Sequence, residues 1–242
     1  MNILEHLAQQ TIYPLRIGGI DLTVTNGVIT LWTAAILVFA FYFYLSRHLR
    51  LVPGRLQNLT ETVVLFIRDE VASQIGHGRE AWLPFLLALF SFILANNLLG
   101  LVPGFSSATG NINTTAALAI IVFLTVQVTG VIQHGLFGYL RSLIPPGVPW
   151  PIALFMVPIE IISQLAKPFS LAIRLFANMF AGHAVMLVLL SLIFLFKSYV
   201  ILPLPVIGNT LVLAFEIFIA LIQAFIFTYL AALYIATAQE GH

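Results

Sequence analysis

The chain has no cysteine among its 242 residues. Disulfide frameworks, thiolate metal sites and cysteine nucleophiles are excluded together. Charge is nearly as scarce: 8% of the residues are Asp, Glu, Lys or Arg, against about 25% in a soluble globular domain. So little charge cannot cover a water-facing surface. The net charge is only +1, without the basic stripe expected of a nucleic-acid binder. Residues Met1–Leu22 lack a basic start followed by an apolar core, since Glu5, Arg16 and Asp21 interrupt their short apolar runs. They do not read as a cleaved signal peptide. What the chain does have is apolar surface, with 60% hydrophobic residues and a mean hydropathy of +1.04. The solvent must be lipid.

The gaps in charge mark the spans. No charged residue occurs from Ala81 to Leu140, and none from Ser142 to Ile159. Half of the Lys and Arg residues (Arg47, Arg50, Arg55, Arg68 and Arg79) crowd into Ser46–Glu80. A bilayer core about 30 Å thick needs roughly 20 apolar residues per helix. Residues 28–45, 82–102 and 114–138 meet that need, separated by the turn signals Pro103-Gly104 and Pro145-Pro146-Gly147. By the positive-inside rule the basic stretch after the first span is cytoplasmic, and residues 1–27 lie on the outer side. Within that stretch, residues 56–75 carry apolar side chains at 56, 59, 63, 66, 67 and 71. That spacing predicts an amphipathic helix lying along the membrane surface.

The last hundred residues differ. Residues 151–196 contain no turn signal beyond Pro158, Pro168 and Gly182. As a single helix they would be about 69 Å long, so they form either two spans or one strongly tilted helix. After the Pro203/Pro205 turn, residues 208–237 make a last helix of similar excess length. The expected fold is an all-α polytopic membrane protein, a single membrane domain over 1–242 with about five embedded helices. No internal repeat is visible.

These two helices hold the residues that are costly in lipid. Glu160, Lys167, Arg174 and His183 lie on one, Glu216 on the other. Each charge at the bilayer centre costs at least about 2.5–3.5 kcal/mol on insertion scales. At 100° per residue Lys167, Ser170, Arg174 and Asn178 share a face, with Glu160 within about 40° of it and roughly 21 Å before Arg174. His183 points to the opposite side, roughly 13 Å beyond. On the last helix Glu216, Ala220, Gln223 and Phe227 form one stripe. Arg174, expected to be buried mid-helix, stays protonated at any physiological pH and passes no proton onward. Glu160, His183 and Glu216 can exchange protons. A fixed cation between two titratable paths is the physics of a two-half-channel device. Two other readings fit the same charges: a proton-coupled secondary transporter using Glu160, Arg174 and Glu216, and a scaffold in which Arg174 merely pairs with Glu216.

Residues 163–183, SQLAKPFSLAIRLFANMFAGH, resemble the signature of subunit a of F-type ATP synthases. The run Gln223-Ala-Phe-Ile-Phe is similar to that family's last-helix motif, and Pro103 followed by Asn111-Ile-Asn113-Thr-Thr to its loop between the second and third spans. The resemblance implies an ion channel, first for protons, that has no nucleotide chemistry of its own and needs no cofactor or metal. Arg174 would be the essential stator cation facing the carboxylates of a rotating c-subunit ring. Glu160 would be the acid of the cytoplasmic half-channel, with Ser163 and Lys167 in the same motif. Asn178 and Gln223 would line the arginine's neighbourhood, and His183 with Glu216 would form the outer half-channel. Implied partners are the c ring, the b-subunit peripheral stalk, the rest of the synthase and the lipid bilayer. The implied location is a bacterial plasma membrane, or second a mitochondrial inner membrane. Asn111 stands where many members have Asp and cannot take up a proton. His134 has a family parallel, and is equally read as an interfacial histidine.

Overall fold

The computed structural model describes residues 11–13, 16–17, 20–21, 23–76, 78–102, 105–142, 150–196 and 203–240. Most of 1–22, the Pro103-Gly104 turn, the breaker run at 145–149 and Lys197 lie outside the described residues. Near the N-terminus, β1 (Thr11–Tyr13) pairs antiparallel with β4 (Val24–Thr25), and β2 (Arg16–Ile17) with β3 (Ile20–Asp21). The longer elements described after that are helices: α1 (Asn26–Arg47), α2 (Arg55–Phe66), α3 (Arg79–Gly100), α4 (Ile112–Ser142), α5 (Trp150–Phe196) and α6 (Pro203–Glu240). The all-α polytopic expectation holds. Among the described residues, five helices are long and apolar enough to cross a membrane, all of these except α2.

One detail settles an alternative that the sequence left open, and two depart from its reading. The stretch 151–196 is one helix, α5, of 47 residues, about 70 Å long. It can cross a bilayer core only when steeply tilted or with its ends well outside. Second, Pro203 and Pro205 do not form a turn before α6 but its first helical turn. There the N–H that proline lacks would have had no helical partner, and its fixed φ already suits a helix.

Third, the surface helix expected over 56–75 comes in pieces: α2, then a π-helical turn Ile67–Val71 and a 3-10 turn Ala72–Gln74. Its apolar Leu56 and Leu59 face outward, 60% and 62% exposed, while Gln57 and Thr60 are buried. Gln57 fixes that rotation. Its side-chain amide accepts from the Arg50 N–H and donates to the Arg50 carbonyl, at 3.1 and 3.0 Å.

Contacts divide the chain into two compact units. The first comprises Met1–Arg47, Ser91–Thr114 and Leu175–Ala224; the second comprises His48–Phe90, Thr115–Arg174 and Phe225–His242. Small side chains allow close approach of the backbones in both, as membrane helix packing requires. Ala34, Ala108, Ala220 and Ala224 are buried in the first unit, and Ala119, Ala172, Ala231, Ala232 and Ala236 in the second. In the second unit the Phe66 ring meets Phe225 of α6 at 5.4 Å between centroids.

Candidate functional site

Among the described residues each unit holds a polar cluster within its membrane-length helices. In the first, the carboxyl of Glu216 lies over Gly182 on α5, so close that a Cβ there would overlap its Oε1. Glu216 is 7% exposed, and neither oxygen has a hydrogen-bond partner among the described residues. The adjoining His183 places Nδ1 2.8 Å from the Met179 carbonyl and Nε2 2.9 Å from the Gly100 carbonyl at the end of α3. Carbonyls only accept, so a neutral imidazole donates to one of the two at a time. Beside them Thr109 donates to Asn97 Oδ1 at 2.8 Å, and Asn97 Nδ2 reaches the Ala220 carbonyl at 3.5 Å, one turn beyond Glu216. Asn97 and Thr109 are fully buried. A buried polar network of this kind is kept only when its members satisfy one another.

Further along α5 the Asn178 amide donates to Gln223 Oε1 at 2.7 Å. Asn111 and Asn113 belong to the same unit. Asn111 Oδ1 accepts the Asn113 N–H at 2.9 Å, where α4 begins, which is an N-cap. Asn113 is exposed.

In the second unit α4, α5 and α6 line a cavity of about 50 Å³, large enough to hold water. Ala119, Val122, Phe123 and Leu171 give it apolar walls, and Gln127, Tyr139, Glu160, Gln164, Lys167 and Tyr234 its polar ones. Gln164 Nε2 donates to Glu160 Oε1 at 3.4 Å. The Lys167 ammonium stands 5.3 Å from the centre of the Tyr234 ring, a cation–π contact. Pro168 also lines the cavity; without an N–H it leaves the Gln164 carbonyl without its usual helical donor.

Ser163 and Ser170 are exposed on α5 and stand outside this wall. His134 sits just before a break in α4, and its Nε2 is buried without a hydrogen-bond partner among the described residues.

Arg174 corrects one expectation. It is mid-helix, but its side chain is exposed on the surface of the chain rather than buried within it. Among the described residues the ion pairs are Arg68–Asp69 at 2.8 Å and Arg79–Glu80 at 3.6 Å, and Arg174 is in neither. Arg174 lies on a helix apolar enough to cross a membrane, where an outward, unpaired charge is costly. The surface pair, by contrast, is ordinary electrostatics. Arg68 beside it holds the Asp69 carboxyl below the usual carboxylate range.

The sequence reading missed Asn97, Thr109, Gln127, Tyr139, Gln164, Gly182 and Tyr234. Three of these carried a signal: Asn97 and Gln127 are amides inside apolar spans, and Gln164 lies one turn from Glu160. Nothing in the sequence ties Tyr139 to Glu160.

Residues 28–236 match the family model described as ATP synthase A chain. The ATP synthase subunit a of Chloroherpeton thalassium is 45% identical over 237 residues, covering 94% of this chain and 71% of that protein. The ATP synthase subunit a 2 of Prosthecochloris aestuarii is 47% identical over 235 residues, covering 93% and 72%. In Magnetococcus marinus the ATP synthase subunit a is 39% identical over 252 residues, covering 100% and 94%.

Proposed function

This chain belongs to the ATP synthase A chain family, and on that premise we propose that it is the ion-conducting stator subunit of a rotary ATP synthase. It carries no nucleotide chemistry itself. The observation that carries the proposal is the outward guanidinium of Arg174, in no ion pair among the described residues, with one polar cluster before it on α5 and another after it.

Glu160, in the cavity with Lys167, belongs to the cytoplasmic half-channel; Ser163 and Ser170 lie on the same helix near it. His183 and Glu216 form the outer half-channel, and Asn178 with Gln223 lines the way to the arginine. Arg174 faces the carboxylates of a c-subunit ring. A proton arriving by one path must ride that ring to reach the other. Each elementary charge moved delivers about 2.3 kcal/mol per 100 mV. The b-subunit stalk holds the chain against rotation, and the host membrane is a bacterial plasma membrane, with residues 1–27 on its outer side.

The test is ATP-driven acidification of inverted membrane vesicles. Arg174→Ala abolishes it while the complex still assembles. Acidification by Arg174→Ala vesicles at the wild-type rate sinks the reading. Mass spectrometry of chains co-purified in detergent should find a small two-helix ring protein together with the soluble ATPase head.

A further inference from the structure

We propose that Gln127, Tyr139 and Gln164 form a one-way hydrogen-bond chain that positions the Glu160 carboxylate in the cavity of the second unit. The inference rests on the role given to Glu160 above and adds the device that holds it.

The chain begins at a break. Gly135 sits at φ 71°, ψ 163° inside α4, a conformation open essentially to glycine alone. The residues after it turn back, and the Tyr139 ring comes to lie against Gly130, where no side chain could fit beside it. From there the Tyr139 hydroxyl donates to Gln127 Oε1, with Gln164 Oε1 as a second acceptor at 3.3 Å. Gln127 Nε2 donates to Gln164 Oε1 at 3.2 Å, and Gln164 Nε2 donates to Glu160 Oε1 at 3.4 Å. Every link runs the same way, from phenol to amide to amide to carboxylate.

Two facts make this a holder rather than a relay. Amide N–H groups do not give up protons at physiological pH, so the chain orients Glu160 and conducts nothing. And among the described residues Gln164 is the only side-chain hydrogen-bond partner of Glu160. The cavity's other titratable groups are occupied with each other, Lys167 over the ring of Tyr234. Three uncharged polar side chains set into an apolar wall are costly unless they satisfy one another. Here they do so in series, and the free end of the series is the acid.

The experiment uses inverted vesicles carrying the intact complex, with pumping measured per assembled complex. Tyr139→Phe keeps the ring on Gly130 and removes one oxygen; Gln164→Leu removes the last donor. Each lowers ATP-driven pumping about 3- to 10-fold, the scale of about one hydrogen bond's net worth, with the amount of complex unchanged. The double variant Glu160→Gln, Gln164→Glu pumps faster than Glu160→Gln alone, because an acid at 164 still accepts from Tyr139 and Gln127. The proposal is overturned by wild-type pumping in Tyr139→Phe and Gln164→Leu, by a double variant no better than Glu160→Gln, or by losses that only track the amount of complex. Wild-type pumping by Glu160→Gln itself is a separate result, and it removes the role of Glu160 as well.

Discussion

The carboxyl of Glu216 occupies the place over Gly182 where any other residue would carry its side chain. An acid on α6 thereby reaches α5 one residue before His183, whose ring nitrogens face two carbonyls. The acid can come this close to the residue before His183 because residue 182 has no Cβ.

Gly182→Ala tests that dependence. Glu216 Oε1 is the end of a flexible side chain, so the carboxyl moves while the helix pair survives. Pumping should fall about tenfold or more, in line with the effect of displacing a reacting group by an ångström. Adding Glu216→Asp, one methylene shorter, should recover part of it. Equal pumping by Gly182→Ala and wild-type vesicles would show that the close approach is incidental.

Arg174→Lys keeps the charge and changes its shape. A guanidinium offers a planar fork of donors and is weakly hydrated, whereas an ammonium is a compact, strongly hydrated point charge. On the role proposed for Arg174, lysine should restore less than a tenth of wild-type pumping, a difference of about 1.4 kcal/mol or more. Full activity of Arg174→Lys would mean that only the charge matters.

Gly135→Ala adds a methyl into open space, since no atom lies within 4 Å of the added Cβ. Only backbone strain opposes it, worth about 1–3 kcal/mol at this φ and ψ. The melting temperature in detergent should drop, and pumping should fall with it because Tyr139 loses its position. Gly54 is the control: it has open space and an ordinary φ of −72°, so Gly54→Ala should leave both unchanged.

Asn111 separates a capping role from a proton role. Asn111→Ala should destabilise the chain by about 1 kcal/mol, as lost N-caps do, without changing pumping per assembled complex. Asn111→Asp keeps the cap and adds a charge that favours a helix N-terminus, so stability should hold. A pumping rate that changes with either variant would return Asn111 to the ion path.

Sequence and structure divide this protein along physical lines. Five of the helices follow from long, charge-poor apolar runs, because lipid leaves a backbone no alternative to satisfying itself locally. Arg174, Glu160, His183 and Glu216 could be picked out for the same reason, since a titratable group in lipid is too costly to be incidental. The 3.6-residue period put Arg174 and Asn178 on one face, and in the structure both side chains are exposed.

What the sequence left open depends on contacts between residues far apart in the chain. Gln57 turned Leu56 and Leu59 outward by pairing with the backbone of Arg50, which no apolar periodicity reports. The exposure of Arg174 is a property of how its neighbours pack, and helix geometry gives only a direction. Tyr139 enters the cavity because one glycine, Gly135, breaks α4 and the chain turns back. Local sequence therefore determined that this is a helical membrane protein with a handful of charges set into apolar helices. Tertiary structure alone decided which of those charges are held, by which amides and over which glycine, because hydrogen-bond partners are fixed by distances between helices and not by spacing along one.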